Sequence, residues 1–133
     1  MSIKAFLGGT CNHSLWREKL IPLLNIDYFN PVVKDWDDTA RDNELYQRAT
    51  CDYVLYVITP KMTGVYAIAE VVEDSIKRPN QTIFCFLEND DGFIFDSSQI
   101  KSLNEVANMI LRNKATYLNS LDDIANFLNN SVK

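Results

Sequence analysis

At 133 residues with 47% hydrophobic content, the chain is long enough to bury a real core, and one domain over residues 1–133 is expected. Its net charge of −5 argues against a nucleic-acid polymer as partner, since phosphate backbones are bound through clustered Lys and Arg, but it leaves a single nucleotide open. A lone histidine, His13, is too little for a histidine metal centre or a Ser-His-Asp triad, so acid–base chemistry falls to carboxylates.

Three cysteines, Cys11, Cys51 and Cys85, are odd in number and lack metal-type spacing. Free thiols in a reducing cytoplasm are the expectation. No apolar run reaches membrane-spanning length, and the N-terminus lacks the regions of a signal peptide, so no membrane partner is expected.

The first predicted strand, "IKAFLGG", ends in glycines and leads to "NHSLWREKLIPLL", a helix that Pro22 should kink or shorten. Between them, "GGTCN" reads either as a tight turn or as a turn whose amides approach a ligand beside a helix N-terminus. It is neither the GxGxxG fingerprint nor a P-loop. "IDYFNP" is a short second strand closed by Pro31. The loop "VVKDWDD" then sets Trp36 among acids, either to stack on a nucleobase or to cover the edge of the core.

"TARDNELYQRA" is the second helix, with Asp42 and Glu44 near its start. Acids there stabilise a helix N-terminus; a second carboxylate nearby would let the two divide nucleophilic and proton-handling roles. "DYVLYVIT" is the third strand, a continuous β-branched and aromatic run ended by Pro60. The third helix is "TGVYAIAEVVEDSIK", with Thr63 suited to the N-cap and Val65, Ile68, Val72 and Ile76 forming a buried stripe. Tyr66, Glu70 and Glu73 fall at i, i+4 and i+7 on a different face. Helical side chains lean toward the N-terminus, which aims Glu70 at the mouth where strand becomes helix. The plain alternative is a solvated helix glutamate.

"QTIFCFLE" is the fourth strand, and the Gly92 loop leads into the helix "SSQIKSLNEVANMILRN". "ATYL" is the fifth strand. "SLDDIANFLNN" is the last helix, capped by Ser120 and burying Leu121, Ile124, Ala125 and Leu128. Alternating βα units of this length make a doubly wound parallel sheet with helices on both faces, five strands in the order 2-1-3-4-5. Ligands bind such sheets outside the carboxyl ends of the strands. That rim gathers Gly8, Gly9, Thr10, Cys11 and Asn12; Asn30, Pro31, Asp35 and Trp36; and Met62, Thr63, Gly64, Tyr66 and Glu70. Asp52 opens its strand at the opposite end and is read as structural.

The run "FLGGTCN…LWREKLIP…DYFNPVV.DW…CDYVLYVITPKMTGVYAIAEVV" resembles the nucleoside 2-deoxyribosyltransferase-like family, from about Ile3 to Glu88. The resemblance implies a flavodoxin-like, three-layer α/β/α domain. It also implies an N-glycosidic bond as target, a nucleoside or nucleotide as ligand, no cofactor or metal, and a homo-oligomer, because relatives complete their sites across a subunit interface. A glutamate on the helix after the third strand attacks the sugar in this family, and Glu70 matches it. An acid eight positions before the aspartate that opens the third strand handles substrate, and Glu44 matches that.

Two positions depart from the family pattern. Its first-strand tyrosine is nearest to Phe6, which has no hydroxyl; Tyr66, a turn before Glu70, is the hydroxyl we infer in its place. Six residues before the glutamate, where relatives have aspartate or serine, stands Gly64. Phe6, Gly8, Gly9, Thr10, Asn12, Pro31, Asp35, Trp36, Met62 and Gly64 are the expected substrate-binding residues, and Glu70, Glu44 and Tyr66 the catalytic ones. The rim acids outnumber Lys34, Arg41 and Lys61, so an uncharged nucleoside is expected to outcompete its 5′-monophosphate, which is the alternative.

Overall fold

The computed structural model describes residues 2–11 and 13–131. In chain order its elements are β1 (Lys4–Gly9), α1 (Trp16–Leu20), β2 (Asp27–Phe29), α2 (Asp38–Thr50), β3 (Tyr53–Ile58) and α3 (Tyr66–Lys77). There follow β4 (Thr82–Phe86), β5 (Asn89–Asp90), β6 (Phe93–Ile94), α4 (Ser97–Arg112), β7 (Thr116–Tyr117) and α5 (Leu121–Asn129). The five-stranded sheet is parallel throughout, ordered β2-β1-β3-β4-β7. This is the expected order, with β7 as the expected fifth strand. The two extra numbers belong to a small antiparallel hairpin, β5–β6, in what the sequence suggested was a loop.

Apart from Lys4 and Thr82 at their starts, the central strands carry no charged or aliphatic hydroxyl side chain, because both faces are covered. Along β3, Val54, Tyr56 and Ile58 point into a cluster shared with Val71 of α3 and Leu103 and Ile110 of α4. The alternate residues Leu55 and Val57 join Trp16, Leu20, Ile124 and Leu128 from α1 and α5. The period of two thus sends adjacent side chains into two separate cores.

Two helices differ from expectation. The first begins at Trp16 rather than near Asn12, and Pro22 sits in the 3-10 turn Ile21–Leu23 that ends it. The third begins at Tyr66, entered through Val65 without a side-chain cap, so Thr63 is not its N-cap. Its buried face is also rotated. Val65 and Ile76 are 67% and 66% exposed, while Val71, Asp74 and Ser75 are buried. Polar residues can occupy the inner positions because each has a partner: Asp74 accepts from Tyr56 Oη at 2.6 Å, and Ser75 accepts from Asn113 Nδ2 at 2.9 Å.

α2 buries no residue. Asp37 caps it by accepting from Ala40 N–H at 2.7 Å, and the Arg78 guanidinium donates to the carbonyls of Arg48 and Ala49 at its far end. Asp52 accepts from Lys4 N–H at 2.9 Å at the edge of the sheet away from the rim, as its structural reading required.

Candidate active site

A cavity of about 450 Å³ opens at the carboxyl ends of β1 and β3, walled by α2 and the start of α3. That volume is in the range that holds a small organic ligand. Of the expected site residues, it brings together Glu70, Glu44, Tyr66, Phe6, Gly8, Gly9, Pro31, Trp36 and Gly64. Cys11, Arg17, Val32, Val33, Thr63 and Ala67 complete the wall.

Three expected residues do not line it. Thr10 is buried, its hydroxyl accepting from Thr59 N–H at 3.0 Å, so it ties β1 to the end of β3. Met62 packs toward the α3–α4 core beside Ile68 and Phe95. Asp35 is exposed outside the cavity. Asn12 lies outside the described residues.

The glycine turn serves packing as well as access. Gly9 has φ +118°, and a Cβ there would land on the Val57 carbonyl, so only glycine lets β1 approach β3 so closely. A Cβ on Gly8 would sit 2.9 Å from the Tyr56 ring. Behind the turn lies Arg17, which is 2% exposed and stacks over Trp16 at 4.4 Å. Its Nε donates to Leu7 O at 2.9 Å and its Nη1 to Thr10 O at 2.7 Å. The helix N-terminus that the sequence suggested as an anion site is absent here, since α1 starts four residues later; the buried cation Arg17 stands in the wall instead.

Phe6 lies nearly flat against Phe29, centroids 5.9 Å apart, while Trp36 and Tyr66 are exposed at the mouth. The cavity lining therefore combines aromatic rings with two carboxylates. Burial pushes the Glu70 carboxyl up to about 7, with Arg48 opposing and Glu44, Asp74 and Glu73 adding to the rise. Burial also raises Glu44, while Arg17 and Arg48 pull it back. A carboxyl near 7 is charged in about half the molecules at neutral pH and remains basic enough to exchange protons.

Arg48, one turn after Glu44 on α2, was not singled out in the sequence. Its Nη1 lies 3.5 Å from Glu70 Oε2, its Nε donates to Tyr56 Oη at 2.8 Å and Asp74 Oδ2 at 3.0 Å, and its Nη2 donates to Glu73 Oε1 at 3.1 Å. Arg17 and Arg48 were missed because long cations are read as surface residues by default. One signal was present: Tyr56 sits in the middle of a strand buried on both faces, and its hydroxyl needed a buried polar partner.

The fold and this site define a class: an open, doubly wound α/β domain with a flavodoxin-like strand order and a carboxylate-lined pocket at the carboxyl edge of its sheet. Residues 2–89 match the family described as nucleoside 2-deoxyribosyltransferase like, and the chain belongs to that family. This stretch holds β1 to β4 and every residue of the cavity wall. Neither a curated protein nor a solved structure matches the chain.

Proposed function

We propose that the protein cleaves or exchanges the N-glycosidic bond of a (deoxy)nucleoside, with Glu70 as nucleophile. A Glu70 oxygen attacks the sugar C1′ as the bond to the base nitrogen breaks. The bonding electrons leave on the base, which takes up a proton, and the sugar stays as an ester on Glu70. Water or a second base then attacks C1′ and releases the carboxylate. Glu44 orients substrate or carries the proton; Trp36 and Phe6 supply apolar faces for the base; Tyr66 offers a hydroxyl at the mouth. The chemistry moves electron pairs only and calls for no cofactor.

The observation that carries this reading is the presence of Glu70 and Glu44, from two helices, in the lining of one cavity together with Phe6, Trp36 and Tyr66. The test is a chromatographic assay over nucleosides and monophosphates, with and without an acceptor base. Release of free base or exchanged nucleoside is expected, and Glu70→Gln should lower turnover by roughly three orders of magnitude or more. Near-normal turnover in a folded Glu70→Gln protein refutes the mechanism. Ligand bound but returned intact after long incubation would mark a silent nucleotide-binding module instead. A homo-oligomer belongs to the same proposal and is tested by light scattering.

A second reading has its own observation. Arg17, buried in the cavity wall beneath the glycine turn, favours an anionic substituent on the sugar and hence a 5′-monophosphate as substrate. A binding titration of a nucleoside against its own monophosphate decides between the two. Tighter monophosphate binding at both low and high salt selects the second.

A further inference from the structure

Arg48 is not itself part of the cavity lining and meets the site through Glu70. Its guanidinium is fixed on two edges. The Nε edge is taken by Tyr56 Oη and Asp74 Oδ2, and Nη2 donates to Glu73 Oε1, to Asp74 Oδ1 at 3.1 Å and to the Glu70 carbonyl at 3.3 Å. Asp74 is itself held by Tyr56 and by Arg78, whose Nη2 lies 3.4 Å from Asp74 Oδ1. What remains is the Nη1 edge, which faces Glu70 Oε2 at 3.5 Å. A planar fork anchored at its other nitrogens has little freedom to move away, so the charge facing Glu70 is preorganised.

The distance matters as much as the sign. Tight charge-assisted N–H···O bonds are about 2.7–2.9 Å long and, when bidentate, occupy both carboxylate oxygens. At 3.5 Å to a single oxygen, Arg48 favours the anion without binding it closely. The other charged and titratable groups near Glu70 are Glu44 on α2, Glu73 and Asp74 on α3 and Tyr56 on β3, with Arg17 elsewhere in the cavity lining. The three acids disfavour its ionisation, and Arg48 is the cation within ion-pair reach.

We propose that Arg48 is the positioning residue of this site: anchored by Tyr56 and Asp74, it fixes the Glu70 side chain and favours its carboxylate form. The role rests on Glu70 being the nucleophile, but its effect on the Glu70 carboxyl does not. Two readouts separate them. The first is carbon-13 NMR titration of the glutamate carboxyls, with the Glu70 signal assigned by its loss in Glu70→Gln. The second is the pH profile of kcat/KM for nucleoside cleavage.

Two charges 3.5 Å apart beside a solvated cavity interact enough to move a titration by about one unit or more. In Arg48→Gln the Glu70 signal and the acid limb of kcat/KM should therefore both move up by about one unit or more. Activity should fall at least about sevenfold further at pH 6 than at pH 8.5. In Arg48→Lys, which keeps a cation but not the anchored planar fork, both should move up less far, and this arm stands even where Arg48→Gln fails to fold. Loss of a merely structural arginine would lower Tm and leave the titration unmoved. An unmoved Glu70 signal in folded Arg48→Gln, or in Arg48→Lys, overturns the assignment. A moved signal in a protein whose activity survives Glu70→Gln supports the assignment and refutes the proposed nucleophile.

Discussion

The stability of this protein should carry the mark of Glu70 across neutral pH. The perturbation is Glu70→Gln, compared with the parent chain at pH 5 and pH 8. Burial lifts the Glu70 carboxyl from its ordinary 4.5 to about 7, so between those values the folded chain holds a proton that the unfolded chain has released. The sign follows: this contribution is fully present below the unfolded value and is lost as pH rises through the folded one. At about 1.4 kcal/mol per unit the ceiling is about 3 kcal/mol. The side chain is only 13% exposed but borders an open cavity, so solvent screening reduces this to about 1–2 kcal/mol. Glutamine resembles the protonated acid at either pH. Urea unfolding should therefore find the variant gaining about 1–2 kcal/mol on the parent between pH 5 and pH 8. Parallel pH dependence in the two proteins would refute the claim that Glu70 titrates inside the fold.

Three further outcomes follow from the same geometry. If the anion of Glu70 attacks, kcat/KM should fall about tenfold per pH unit below about 7, measured in the base-release assay. Trp36→Ala should leave Tm within a few degrees, since the indole is 58% exposed, yet weaken nucleoside binding by about 1–3 kcal/mol in a calorimetric titration. Gly9→Ala should lose soluble, folded protein, because the added Cβ meets the Val57 backbone at φ +118°, whereas Gly64→Ala, with nothing within 4 Å, should unfold like the parent.

The alternating pattern was legible because its strands are unambiguous. "YVLYVI" has no reading but a strand buried on both faces, and Pro60 ends it. The position of Glu70 was legible for the same reason, since the mouth between β3 and α3 follows once the sheet is parallel. The inner face of α3 was not. Hydropathy assigns Val65 and Ile76 to the core and Asp74 and Ser75 to solvent, but the paired polar groups won those places. The hairpin β5–β6 was missed because it has two residues per strand and is fastened by charge. Lys19 and Lys61 both hold Asp91, and Ser14 donates to Asp90 at 2.6 Å. Long-range polar ties of this kind leave no periodicity to read.

No residue of the helix that carries Glu44 joins either hydrophobic cluster, and its hold on the domain runs through Arg48 and Arg78. These ties are largely buried, with the Arg48 and Asp74 side chains 12% and 4% exposed, but they bring none of the packed apolar area that most resists opening. This wall of the cavity is therefore expected to open locally before the sheet and its two cores do. Backbone amides over 41–50 should exchange with solvent well before those of β3 and β4, and faster as added salt screens the arginine contacts. The wall bearing Glu44 is thus held by its fastenings more than by its fit, and Arg48 is the chief of them.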